Sequence, residues 1–521
     1  MRYCVLQNLL DRLAAPVVKN LVVARTDGAT PLVVACRNGH FDVAQYLLDK
    51  CNADLEQTGS VTFDGETIEG APPLWCASAA GNLDIVKLLI SRGANVNATT
   101  KTNSTPLRAA CFDGHFSIVK YLIKQHADIE IANRHGHTCL MIACYKGHYD
   151  IAKYLLQLGA NVNRKSVKGN TALHDCAESG SLLIMMLLLR HGATIDVDSY
   201  GMTPLLAAAV TGHSHIVDYL IGMDFISPRE RIEAMELLGA TFMDKKRDML
   251  GAASLWKRAL QERKLVNLPK PPTQSPIAAF GGATEINSEA DLEDVMSDPD
   301  AMRIQALIIR ERILGPAHPD TSYFIRYRGA VYADAGNIPK CITLWLYALR
   351  MQQEILEPLS LMTQSSLSSF AELFSYILSK RISASVPMFV PDLIVVFEQA
   401  LAEWKRGNEH VQARKAHNFD VDKETAGLTF MEIYEQSKSE PSTVQAPPLY
   451  AGNVPMVLEI EDQAQNGMEE EEVGDPVTQV KPLQYVTLQC LAARAINRHK
   501  VPFDHRSLPL HLIAMVVSHG Y

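Results

Sequence analysis

What the sequence lacks narrows its function before any motif is considered. No run of apolar residues is long enough to cross a bilayer, and the opening residues show no basic–apolar–cleavage pattern, so neither membrane insertion nor export is expected. Excess basic charge is missing as well. With 49 Lys and Arg against 58 Asp and Glu, the formal net charge is −9, which argues against nucleic acid as a general partner. No Gly-rich loop continues into the Lys-Ser/Thr of a phosphate cradle, since both Gly281-Gly282 and Gly239-Ala240 lack that sequel. The ten cysteines are scattered, with Cys36, Cys76, Cys111, Cys144 and Cys176 at core-like helix positions. Reduced, buried thiols of an intracellular protein are expected. Cys139 and Cys144 have structural explanations within one repeat, which disfavours zinc. In His174-Asp175-Cys176 the histidine reads as a packed, hydrogen-bonding imidazole rather than a base for a thiol. No catalytic, cofactor or metal constellation emerges, and a protein without chemistry of its own is expected.

What the sequence does contain is a period. Thr105-Pro106-Leu107, Thr138-Cys139-Leu140 and Thr171-Ala172-Leu173 open successive units 33 residues apart, and Pro72-Pro73-Leu74 stands 33 residues before the first. Thr203-Pro204-Leu205 follows after 32 residues, whereas Thr30-Pro31-Leu32 precedes Pro72 by 42. Each unit continues through an Ala-rich run, a turn such as Asp113-Gly114-His115, a second apolar-periodic helix and a closing loop such as Gly93-Ala94-Asn95. Six copies make this the ankyrin signature. A lone pair of short helices cannot bury its apolar face, so the core forms between neighbouring units. The threonines are expected to cap the first helices, with proline at the position that loses no donor. Such a stack presents a concave face of inner helices and loop tips suited to binding.

The fold class expected is all-α, in five parts. Residues 1–26 read as a partial N-terminal repeat or cap. Residues 27–227 are the ankyrin array, with an insertion at 54–70 that maps to a loop beside the binding face. Residues 228–405 read as a tetratricopeptide-like helical domain packed on that stack. Two partial copies of its pattern are visible, one running from Leu237-Leu238-Gly239-Ala240 and one through Gly329, Tyr332, Gly336, Cys341, Trp345 and Ala348. Residues 406–480, with Met468-Glu469-Glu470-Glu471-Glu472, read as a solvated, disordered linker. Residues 481–521 recover an apolar helical pattern at Leu488, Leu491, Ala492 and Ile496 and again from Leu508-Pro509. A helix pair this short cannot stabilise itself, so it caps the body or docks into a partner.

Equivalent positions of successive repeats share one surface. Trp75, Arg108, Phe112 and Asp113 lie on first helices or their turns, and the insertion adds Phe63 and Asp64. Two readings of this set stand open at this point. It forms an aromatic and acidic patch for a short basic peptide, or Phe112 belongs to the core and Asp113 to a turn where aspartate is common. His40, His115, His148 and His213 occupy the Gly-His slot and are expected to hydrogen-bond neighbouring loops rather than metal.

Three segments resemble the Fem-1 family of ankyrin substrate receptors: Asn103 to Gly114, Ile309 to Gly315, and Tyr327 to Asp334. The resemblance runs over about residues 6–405 and 486–518 and is nearest to members that read arginine-ended peptides. It implies a non-catalytic substrate-recognition subunit of a cullin 2 RING ubiquitin ligase, joined through elongins B and C, that binds C-terminal degrons ending in Arg. The degron pocket carried over comprises Phe63, Asp64, Trp75, Ser104, Arg108, Phe112 and Asp113, with Asp64 and Asp113 as carboxylates facing the guanidinium. Leu488, Leu491, Ala492 and Ile496 resemble the elongin-binding half of a VHL-type box, and Leu508 and Pro509 its cullin-selecting half. A cytoplasmic location is implied, with the nucleus and self-association left open. The family's further ankyrin repeats before the tail have no visible counterpart in 406–480.

Overall fold

The computed structural model describes residues 7, 10–63, 65–270, 277–379 and 386–417, without the side chains of 378–379, 386–390 and 413–417. Asp64 and the whole adaptor-box set (Leu488, Leu491, Ala492, Ile496, Leu508 and Pro509) lie outside the described residues. The chain divides into two compact units. Among the described residues, one holds those up to 270 together with 286–309, the other 277–285 with 310–417.

The first unit is a stack of helix pairs. After a helix α1 (Ala15–Val23) come six pairs: α2 (Pro31–Arg37) with α3 (Phe41–Asp49), α4 (Pro73–Ala79) with α5 (Leu83–Ser91), α6 (Pro106–Phe112) with α7 (Phe116–Lys124), α8 (Cys139–Tyr145) with α9 (Tyr149–Gln157), α10 (Ala172–Ser179) with α11 (Leu182–Arg190), and α12 (Pro204–Thr211) with α13 (Ser214–Ile221). The expected caps are present. The hydroxyls of Thr30, Thr105, Thr138 and Thr203 accept from the third helical N–H, while Thr171 shares a capping box with His174. Between the inner helices the core is apolar and sealed, with Leu107, Leu140 and Leu173 at most 2% exposed.

The Gly-His slot binds the stack in a way the sequence suggested only in part. His115, His148 and His213 place Nε2 at 3.0, 2.9 and 2.8 Å from the carbonyls of Ala79, Phe112 and Glu178, at the ends of the preceding inner helices rather than in loops. The turn glycine makes room for the ring. A Cβ on Gly114, whose φ is +77°, would stand 2.6 Å from Cε1 of His148. After the sixth pair Lys245 takes over this role, donating to the Val210 carbonyl at 3.0 Å.

One expectation needs correction. The insertion at 54–70 is not a plain loop: β1 (Gly59–Phe63) and β2 (Glu66–Ala71) form an antiparallel hairpin in which Phe63 pairs with Glu66. An Asp-Gly pair between extended residues is a hairpin signal. The compact unit that holds the array extends past its last repeat. The next hairpin, α14 (Pro228–Thr241) with α15 (Met249–Leu265), belongs to it, and Thr241 and Lys245 donate to the Val210 carbonyl of α12 at 3.4 and 3.0 Å. Continuous burial of α12 against α14 explains why no break falls there, since Ala208, Ala209, Ala234 and Leu238 are all buried. The helices α16 (Glu289–Met296) and α17 (Pro299–Leu314) follow, the division between units falling inside α17.

The second unit holds α18 (Pro319–Asp334), α19 (Ile338–Ile355), α20 (Leu361–Ser379) and α21 (Val386–His417). Helix α21 runs past 405, so the segment read as linker is helical as far as 417; Arg406 pairs with Glu403 at 2.8 Å and donates to the Leu356 carbonyl. One interlock recurs in each unit. Trp256 sits against Gly239 and donates to the Glu236 carbonyl at 2.9 Å, while Trp345 sits against Gly329 and donates to the Arg326 carbonyl at 2.7 Å. Only a glycine lets the indole lie so close to the facing helix: a Cβ would approach its Nε1 to 2.3 and 2.6 Å respectively.

Candidate functional site

The site is assembled from three repeats of the first unit. Thr105 caps helix α6, so the residue just before the cap, Ser104, lies at the edge of the inner face. Backbone and side chain hold it there: Ser104 N–H donates to Thr100 Oγ1 at 3.1 Å and its carbonyl accepts from Thr100 N–H. Trp75, one repeat earlier on α4 and 7% exposed, donates its indole N–H to Ser104 Oγ at 3.1 Å. Arg108, one turn into α6, reaches back with Nη1 to the same oxygen at 3.4 Å. Phe63, at the tip of β1, sets its ring edge-on to Trp75 with centroids 5.6 Å apart. Phe63, Trp75, Ser104 and Arg108 thus form one continuous row.

Phe112 and Asp113 complete the set differently. Phe112 stands four residues beyond Arg108 and so on the same helical face. It is half-buried, and Lys146 holds Nζ 3.8 Å from its ring centre. Asp113 is exposed and terminates α6. No described contact joins either residue to Trp75 or Phe63.

Several residues of this face were not singled out from the sequence. Arg37, at the end of α2, lays its guanidinium 5.2 Å from the Phe63 ring centre, a cation–π pair within the chain. His137 occupies the register of Ser104 one repeat on. Burial, helped by the charges of Arg108, His135 and Lys168, brings its imidazole down to about 4, so it is neutral at ordinary pH. Asp175 and Glu178 occupy the registers of Ala109 and Phe112 two repeats on. Reading each register across all copies would have found them. Alignment on the Thr-Pro-Leu phrase alone did not.

The groups tempting as chemistry are structural. His174 places Nδ1 3.1 Å from the Thr171 N–H and Nε2 3.0 Å from the Met202 carbonyl. The free thiols of Cys111 and Cys139 share a hydrogen bond, as do those of Cys144 and Cys176, and burial pushes Cys111 and Cys144 well above the usual thiol range. Among the described residues no group of three or more His, Cys, Asp or Glu is arranged to hold a metal, and no helix is long and apolar enough to cross a membrane.

A stack of helical hairpins that lines up rings, a guanidinium and a carboxylate on its inner helices defines a repeat-based protein-interaction module. The ankyrin-repeat family matches in three copies, over residues 2–100, 74–166 and 164–229. A fem-1 homologue of Drosophila melanogaster is 67% identical over 396 residues, 75% of this chain and 60% of that protein. Protein fem-1 homolog C of Homo sapiens is 58% identical over 412 residues, covering 78% and 67%. Protein fem-1 homolog A of Rattus norvegicus is 43% identical over 637 residues, covering 99% and 97%. The chain belongs to the Fem-1 family. Its 521 residues meet an alignment of 637, so the rat protein carries more than a hundred residues without a counterpart here.

Proposed function

We propose that this protein is a non-catalytic substrate-recognition adaptor of a cullin 2–elongin B/C ubiquitin ligase with its RING subunit, acting in the cytoplasm. It binds C-terminal degrons ending in Arg and promotes ubiquitination and proteasomal degradation of their bearers. The observation that carries the reading is the row Phe63–Trp75–Ser104–Arg108, with the carboxylate of Asp113 beyond it. A terminal arginine offers a planar fork for fixed carboxylates and a flat cation for aromatic rings. Its own carboxylate finds a counter-charge in Arg108. In the free chain Arg37 and Lys146 stand on the two rings, as a guest guanidinium would. Asp64 joins the pocket on the strength of the family resemblance, as do the adaptor contacts of Leu488, Leu491, Ala492, Ile496, Leu508 and Pro509. The hairpins with Gly239·Trp256 and Gly329·Trp345 serve as tetratricopeptide-type units of the receptor.

A screen of C-terminal peptides, with the last residue varied and the carboxylate amidated, tests the pocket. Arg-ended free acids should bind, and amidation or a final Ala should abolish binding. Asp113→Asn should weaken an Arg-ended peptide by about 1–3 kcal/mol. Equal binding of all endings would refute the pocket.

A second reading has one observation in its favour, the stretch of more than a hundred residues that the rat relative carries and this chain does not. On that reading the chain is an ankyrin scaffold that gathers proteins without reaching a cullin. Copurification of elongins and cullin 2, lost on Leu488→Ala/Leu508→Ala, supports the adaptor. Their absence from pulldowns of the full chain supports the scaffold.

A further inference from the structure

Two repeats beyond the row described above, the inner face changes character. Helix α10 places Asp175 where α6 has Ala109 and α8 has Ile142, and Glu178 where they have Phe112 and Tyr145. Three residues apart, the two acidic side chains share one helical face. Asp175 is only 7% exposed, and its Oδ2 is sealed from solvent without a hydrogen-bond partner. An unsatisfied buried acceptor destabilises the fold, which an alanine or isoleucine at this register avoids. A carboxyl there is not needed to build the stack, as the neighbouring repeats demonstrate.

We propose that Asp175 is a second recognition point of the same groove, taking the ammonium or guanidinium of a basic side chain about five to six residues before the end of the bound chain. The proposal rests on the reading of the pocket as a receptor for an Arg-ended terminus. Its spacing follows from the stack. Inner helices pack about 8–10 Å apart, so α6 to α10 is roughly 16–20 Å. An extended chain rises about 3.3 Å per residue, so five to six residues span that gap. The sign of the charge follows from the surroundings. Burial and the neighbouring Glu178 both push the Asp175 carboxyl well above its usual range, and the charge of Arg108 opposes them. A guest cation relieves both effects at once, whereas a guest acid meets two carboxyls.

Fluorescence polarisation on the full chain tests this with Arg-ended Gly/Ser peptides bearing one Lys, moved from three to nine positions before the end. The wild type should show an affinity maximum of about tenfold at one position near five or six. Asp175→Asn should flatten that maximum while binding the Lys-free peptide as the wild type does. Acetyl-lysine at the best position should remove the gain with the protein untouched, which separates recognition from any effect of the substitution on folding. A flat profile in the wild type, or a maximum that survives in Asp175→Asn or with acetyl-lysine, overturns the subsite while leaving the terminal pocket standing. Failure of every Arg-ended peptide, Lys-bearing or not, overturns both.

Discussion

Trp75 shows how one side chain serves both the core and the face. Its ring is buried between repeats, yet its N–H is spent on Ser104, the oxygen that Arg108 also reaches. Trp75→Phe deletes the donor and part of the buried ring, and should cost about 2–4 kcal/mol in urea unfolding. Ser104→Ala in the same background should then add only what the longer Arg108 bond to that oxygen contributes, because a double-mutant cycle counts the Trp75–Ser104 bond once. His137 makes a pH prediction of definite sign. Its folded value, about 4, lies below the ordinary 6.5, so the unfolded chain takes a proton that the folded chain refuses. The stability it allows is complete above 6.5 and is lost as pH falls toward 4. Between pH 7 and pH 5 the wild type should lose about 2 kcal/mol more than His137→Asn, measured by denaturant titration at each pH.

At the scale of elements, glycine and buried charge decide what can be changed. Gly114 and Gly159 both have positive φ, +77° and +86°, but only Gly114 faces a neighbour, the His148 ring. Gly159→Ala should therefore cost about 1 kcal/mol for backbone strain alone. Gly114→Ala should cost roughly 2–4 kcal/mol, since the His148 contact with the Phe112 carbonyl is also displaced. The hairpin of α14 and α15 depends on Glu236 and Arg263, both buried and paired through two bonds of 2.8 and 2.9 Å. Arg263→Met leaves the Glu236 carboxylate with Lys270 at 3.8 Å and should cost about 3–5 kcal/mol. Glu236→Leu with Arg263→Met should recover most of that loss, a difference that thermal unfolding of the two variants would read.

The whole molecule is held by nearest neighbours. Each ankyrin pair touches the pairs before and after it, so a lesion in mid-stack is felt on both sides and no further. Leu140→Ala, at a position 2% exposed, should remove about 2–5 kcal/mol. Hydrogen exchange should accelerate in peptides from α6 to α11 and stay unchanged in α18 and α19, which belong to the other unit. Loss of protection in α18 and α19 to the same degree would mean that the two units unfold together.

The period of the array was written in the chain, because each repeat must cap, turn and bury its face by the same local rules. Thr105, Gly114 and Leu107 are therefore legible one at a time, and the family followed from the same phrases. Composition also set the charge balance and the want of a spanning segment. What only the tertiary structure decided concerns residues distant in sequence. Arg37 meets Phe63 across a 42-residue step that breaks the period, and the insertion between them folds as a hairpin rather than a loop. The compact unit that holds the ankyrin array takes in α14 and α15 as well, because buried faces match where the sequence pattern changes at 228. Asp175 was legible only as the middle of His174-Asp175-Cys176, and that its Oδ2 is sealed without a hydrogen bond is a fact of the fold. Local propensity acts over a few residues and repeats faithfully. The burial of a charge depends on which neighbours the stack brings to it.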